Sequence, residues 1–167
     1  MEGQPTVRSR RSASVLIRAA LLLCTAFVAP VSGHASVATD ACTLLTAAQV
    51  SSVLGTAVEA GEHIVPNSVT SCGWMGPGGA SIGSKKMVLS LLSARSFEAG
   101  KTPVKGVTET LAPGIGDEAY YISMPPFGTA LSVRKGSAYF QLRIAGFPSG
   151  QVRTLERALA LRLLERV

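Results

Sequence analysis

Two cysteines constrain this chain more than any other feature. Cys42 stands in Asp40-Ala41-Cys42, and Cys72 in Ser71-Cys72-Gly73-Trp74 beside the only tryptophan. Bonded together, they tie the start of the first expected helix to the strand that carries Trp74. On the chain-entropy argument, closing that loop contributes ~3–4 kcal/mol. The alternative use of such a pair is a metal site. In the sequence no histidine and no third cysteine stands close enough to support one.

The choice between these uses rests on compartment. Arg8, Arg10, Arg11 and Arg18 precede an apolar run over residues 19–31, which is too short for a membrane span and is broken by Pro30. Gly33-His34-Ala35 then offers the small residues a signal peptidase reads. Residues 1–35 are therefore expected to be a signal peptide, and residues 36–167 one secreted, periplasmic or cell-envelope domain. An uncleaved anchor is the alternative. Ser9-Arg10-Arg11 resembles the start of a twin-arginine signal, but Ala13 stands where a bulky apolar residue is usual. Cys24 raises lipidation, yet Leu23 occupies the position where a lipobox carries Gly or Ala. Membrane attachment is expected only if the signal stays on or Cys24 is lipidated. An exported chain that keeps two cysteines after cleavage is expected to oxidise them.

Cleavage also changes the charge. The whole chain carries a formal +6, but four of its arginines and one glutamate lie in the signal. The remainder has 12 basic against 9 acidic residues, about +3 and scattered, which argues against a nucleic-acid partner.

The fold class follows from the order of patterns. Thr46 and Gln49 form a capping box, with Leu45 and Val50 placed as its hydrophobic staple and Gly55 as the stop, so residues 46–54 read as a short helix. Residues 56–65 are a possible strand, weakened by Gly61. Residues 69–75 and 86–93 read as strands; both faces of the second are apolar, as in a central strand covered on each side at least in part. Residues 95–100 suggest one helical turn, while 101–112 show no period. Residues 118–123 form a strand that Pro125 and Pro126 must end. Residues 130–134 and 138–145 form a hairpin around Lys135-Gly136. A closing helix runs to Arg166, with Val152, Leu155, Leu159 and Leu163 as its core stripe and Leu161 opposite. The expectation is a single α+β domain: an antiparallel sheet of about five to six strands, packed by an N-terminal short helix and a C-terminal helix.

Taken together, Asp40-Ala41-Cys42-Thr43-Leu44-Leu45-Thr46, Leu54-Gly55, Cys72-Gly73-Trp74, Gly114-Ile115-Gly116-Asp117-Glu118-Ala119-Tyr120 and Leu131-Ser132-Val133-Arg134-Lys135-Gly136 form an ordered series. With the C-terminal Ala-Leu helix, the series resembles a domain-of-unknown-function family of exported bacterial proteins, many of them lipoproteins of actinobacteria. The resemblance spans most of residues 36–167. It implies a small cell-envelope domain with a Cys42–Cys72 bridge, and it implies no activity.

Catalytic chemistry finds little to build on. His63 is the only histidine left after cleavage, in a polar stretch that reads as surface. Asp117 and Glu118 are the best carboxylate pair, but neighbours on a strand point to opposite faces. Asp117 reads as a turn residue bonding its own backbone. No cluster has metal-ligand spacing, so neither a metal nor a cofactor is expected. Gly114-Ile115-Gly116 lacks the helix and further glycine of a dinucleotide loop. Lys85-Lys86 and Arg134-Lys135 read as solvated pairs able at most to touch anionic polymers. Trp74, Tyr120, Tyr121 and Tyr139 are candidates for a binding face, with core packing as the alternative. Two function classes follow. The first is a non-catalytic envelope or extracellular binding domain, for an unknown protein, polymer or small ligand. The other is a small secreted hydrolase built on His63 with Asp117 or Glu118.

Overall fold

Thr46 opens the first helix as its capping box requires. Its hydroxyl accepts from the Gln49 amide at 3.2 Å, and the Gln49 side chain accepts from the Thr46 amide at 2.9 Å. Helix α1 then spans Ala47–Leu54 and ends at Gly55, whose φ of +65° closes the last turn. These are details of a computed structural model that describes residues 39–81 and 83–167. The expected signal segment and Cys24 lie outside the described residues. Among the described residues, no helix is long and apolar enough to cross a membrane.

The strands are β1 (Glu62–His63), β2 (Ser71–Met75), β3 (Lys86–Leu91), β4 (Thr108–Leu111), β5 (Glu118–Ser123), β6 (Thr129–Lys135) and β7 (Ala138–Ala145). They form one open antiparallel sheet of order β1-β2-β3-β7-β6-β5-β4. Two meanders thus meet where β3 pairs with β7. Helix α2 (Ala94–Ala99) lies in the connection from β3 to β4, and α3 (Ser149–Leu163) follows β7. The α+β class is as expected, with seven strands in place of five to six. The strand missing from the sequence reading is β4. Its four residues are all exposed at a sheet edge, so no alternation of burial marks them. The expected strand over 56–65 shrinks to Glu62–His63.

Strand alternation sorts the side chains onto two faces. Trp74, Met87, Leu89, Leu131, Val133, Phe140 and Leu142 are all buried on the face that packs α1 and α3. The other face is covered only in part, by α2. There Phe97 packs on Tyr120 and Tyr139, with ring centroids 5.0 and 5.5 Å apart, and the Tyr120 hydroxyl donates to the Phe97 carbonyl at 2.5 Å. The strand most covered on both faces is therefore β6, where Ala130, Leu131, Ser132 and Val133 are all buried. The β3 strand is central, with one face buried and the other covered in part, Val88 and Ser90 being half-buried there. The β6–β7 hairpin turns at Gly136, whose φ is +56°.

Helix α3 keeps the expected stripe and adds Glu156 to it. Val152, Glu156, Leu159 and Leu163 face the core, and Leu155 sits half-buried at its flank. A glutamate thus occupies a core position.

Candidate functional site

The sheet edge at β1 and β2 gathers most of the features that bear on function. In the antiparallel register Glu62 lies opposite Gly73, and His63 opposite Cys72. Alternation then sends Glu62 to the face away from α3, and His63 to the face of the cysteines.

Beside this edge lies a cleft of about 470 Å³, lined by Glu59, Ala60, Glu62, His63, Ile64, Gly73 and Met75 among others, so that His63 borders both the cleft and the cysteines. Its floor is Gly73, where the absence of a side chain matters. A β-carbon there would strike the Cδ1 of Ile64 and come within 2.9 Å of the Met75 terminal methyl. Ile64 is 45% exposed, a large apolar residue left at the rim. Among the described residues, no cation comes within ion-pair distance of Glu59 or Glu62. The cleft therefore combines unneutralised carboxylates with apolar side chains.

On the face opposite Glu62, Cys42 and Cys72 form a disulfide with their Cα atoms 5.1 Å apart. Cys42 sits in a 3₁₀ turn over Ala41–Thr43, capped by Asp40, whose Oδ1 accepts from the Cys42 amide at 2.8 Å. The same oxygen lies 2.9 Å from His63 Nε2. That hydrogen bond, first, and the one from Cys42 hold the Asp40 carboxyl below its ordinary range. His63 is a surface residue, as expected, but it is not isolated. The reading that no histidine stands near the cysteine pair is corrected by the strand pairing: donor atoms of Asp40, Cys42 and His63 lie within 4.8 Å of one another. Residue spacing hid this, because His63 reaches the pair through sheet register.

The remaining candidates fall elsewhere. Trp74, Tyr120 and Tyr121 are buried, so they pack the interior and offer no binding face. Tyr121 donates to the Arg153 carbonyl at 3.2 Å, with the Arg153 guanidinium 4.8 Å above its ring. Four strands separate β1 from β5 in the sheet order, which puts His63 roughly 24 Å from Asp117 and Glu118. These residues do not share a site. Asp117 does not bond its own backbone: its Oδ2 accepts from the Gly136 amide at 2.6 Å, because the 114–117 loop folds onto the β6–β7 hairpin. Glu118 lies 2.6 Å from Lys101 and 3.4 Å from Arg134, and Lys135 lies 3.8 Å from Asp117. The Arg134-Lys135 pair is thus partnered within the fold.

One residue was missed altogether. Glu156 is fully buried on α3, its Oε2 accepting from the Thr129 hydroxyl at 3.2 Å, while its Oε1 has no partner among the described residues. Burial pushes its carboxyl up to about 7, against the smaller effects of the Thr129 bond, the nearby Ile144 amide and the Arg153 and Arg143 charges. The signal was present: Glu156 stands four residues after Val152 and three before Leu159, on the core stripe itself.

Compared with family models, with curated proteins and with solved structures, the chain matches none of them.

Proposed function

We propose that this chain is an exported, non-catalytic binding domain of the cell envelope or extracellular space, and that the cleft beside β1 and β2 takes its ligand. The observation that carries the reading is the pairing of Glu59 and Glu62, both without a cation partner among the described residues, with Ile64 and Met75 in a cleft of about 470 Å³. Such a lining suits a small ligand, a polymer end or a protein segment that carries a cationic group next to an apolar one. A carboxylate pair gives orientation and selectivity, and the apolar wall gives contact area.

Export is supported by the arginine-led apolar segment before residue 36, and the disulfide is compatible with an oxidising compartment. The resemblance of the motif series from Asp40 to Gly136 to exported bacterial envelope proteins, a reading of the sequence alone, points the same way. A pull-down from envelope extract tests the binding half. The wild-type chain is expected to retain a ligand that the Glu59→Gln, Glu62→Gln double variant releases. Equal retention by both chains would count against the cleft.

A further inference from the structure

We infer that the Cys42–Cys72 disulfide covers a metal site of the reduced chain, in which Asp40, Cys42, His63 and Cys72 hold one borderline-soft divalent ion such as zinc. The inference stands on the geometry at the β1–β2 edge; it shares His63 with the rim of the cleft but does not rest on the cleft's taking a ligand.

The four donors come from three separate pieces of backbone. Asp40 caps the 3₁₀ turn, Cys42 lies within it, His63 is on β1, and Cys72 is its register partner on β2. Donor atoms of the first three already lie within 4.8 Å of one another. A tetrahedral zinc ion with bonds of ~2.0–2.3 Å separates its donors by roughly 3.3–3.8 Å. The widest of those separations therefore needs to close by about 1–1.5 Å, while His63 Nε2 and Asp40 Oδ1, 2.9 Å apart, must part slightly or leave the ion to the second Asp40 oxygen. The fourth donor, the Cys72 sulfur, is bonded to Cys42 itself. Once the bond is reduced, rotation of the half-buried Cys42 side chain can part the two sulfurs to the ~3.7 Å that two thiolates on one ion require, with the Cys72 sulfur held where it packs on Gly61 and Trp74.

The donor set suits the ion. Two thiolates, one imidazole and one carboxylate are all accepted zinc ligands, and four protein donors make a closed, structural type of site. The surroundings supply the expected support. The Cys42 amide donates to Asp40 Oδ1 and fixes that carboxylate, which keeps its second oxygen for an ion. Access is one-sided: Cys72 is buried, Asp40 and Cys42 are half-buried, and His63 is exposed. An ion or a reductant can approach over His63 and Cys42.

The chemistry balances with a dithiol as reductant. A dithiol reduces the Cys42–Cys72 bond to two thiols and becomes a cyclic disulfide. Metal binding then releases the two thiol protons to solvent, and the ion takes two thiolates, a neutral imidazole and a carboxylate. The cyclic disulfide, acting as oxidant, reverses the sequence: the two thiolates close the Cys42–Cys72 bond, the dithiol is regenerated with two protons from solvent, and the ion is released. The bridge and the ion are thus two interchangeable ties between the same pair of elements.

The test uses the full chain carrying Cys24→Ser, so that no other thiol contributes. Cobalt(II) is titrated into oxidised and anaerobically reduced protein, with circular dichroism recorded alongside. The reduced chain is expected to bind one cobalt per chain, with a thiolate-to-cobalt charge-transfer band and tetrahedral ligand-field bands, and zinc should displace it. The oxidised chain should show neither band. His63→Gln and Asp40→Asn are each expected to weaken binding by about tenfold or more. A reduced chain that unfolds and regains its secondary structure on adding cobalt also supports the site. Absence of the band in the reduced chain overturns the proposal. So does equal affinity in His63→Gln, or a band on a chain that stays unfolded.

Discussion

Gly61 runs so close to Cys72 that a β-carbon on it would lie 2.6 Å from the Cys72 sulfur. The same atom would sit 2.7 Å from Cε2 of Trp74. Backbone, disulfide and indole are stacked without room for a methyl group. In the sequence Gly61 only weakens a strand; in the fold it is what lets β1 approach the bridge.

Gly61→Ala should therefore destabilise the domain, because neither the bridged sulfur nor the buried indole can swing away. Overpacking of this kind costs ~1–3 kcal/mol. Urea unfolding of the oxidised chain measures it. A change under half a unit would mean that β1 can lift off the bridge freely.

The closing helix gives a paired comparison. Leu159 is fully buried, and Leu161, two residues on, is 44% exposed. Leu159→Ala is expected to destabilise by ~2–5 kcal/mol. Leu161→Ala should stay within ~0.5 kcal/mol. Chemical denaturation of both variants checks the phase of the helix, and equal losses would show it to be wrong.

Glu156 makes stability depend on pH. Its carboxyl titrates at about 7 in the folded chain against an ordinary 4.5. Below 4.5 both states hold the proton. Between there and about 7 the unfolded chain has released it while the folded chain keeps it, so rising pH favours unfolding. Above that window the difference is constant. The total loss is on the order of 3 kcal/mol. Glu156→Gln should remove this slope between pH 4.5 and 7 while keeping a polar group near Thr129. Melting temperatures across that range measure it, and an unchanged slope would assign the pH dependence to other groups.

Much of the fold was legible because its signals are local. The Thr46–Gln49 box, the Gly136 hairpin and the 3.6-residue period of α3 are each written within a few residues. The edge strand β4 was not, since exposed edge residues carry no burial pattern. The site was less legible still. His63 meets Asp40 and the disulfide through sheet register, and Gly73 floors a cleft whose walls come from separate strands and loops. Asp117 and Glu118 looked like chemistry because they are adjacent, yet each is held by cations or backbone amides of β6, its hairpin or Lys101. Glu156 lay on the core stripe, where a charged residue is easily read as a neighbour of the stripe.

Export has its own check. Intact-mass analysis of the protein recovered outside the cytoplasm should give a chain that begins at Ser36 and carries no lipid. A diacylglyceryl group on Cys24 would place the protein on a membrane surface instead.

The cleft is tested most directly by methyl NMR of Ile64 and Met75 as an alkylammonium ligand is titrated into the isotope-labelled protein. The account predicts saturable shifts at these two methyl groups and at Ala60, which the Glu59→Gln, Glu62→Gln variant abolishes while its spectrum otherwise stays folded. Shifts that avoid Ile64 and Met75, or that persist unchanged without the two carboxylates, would contradict it.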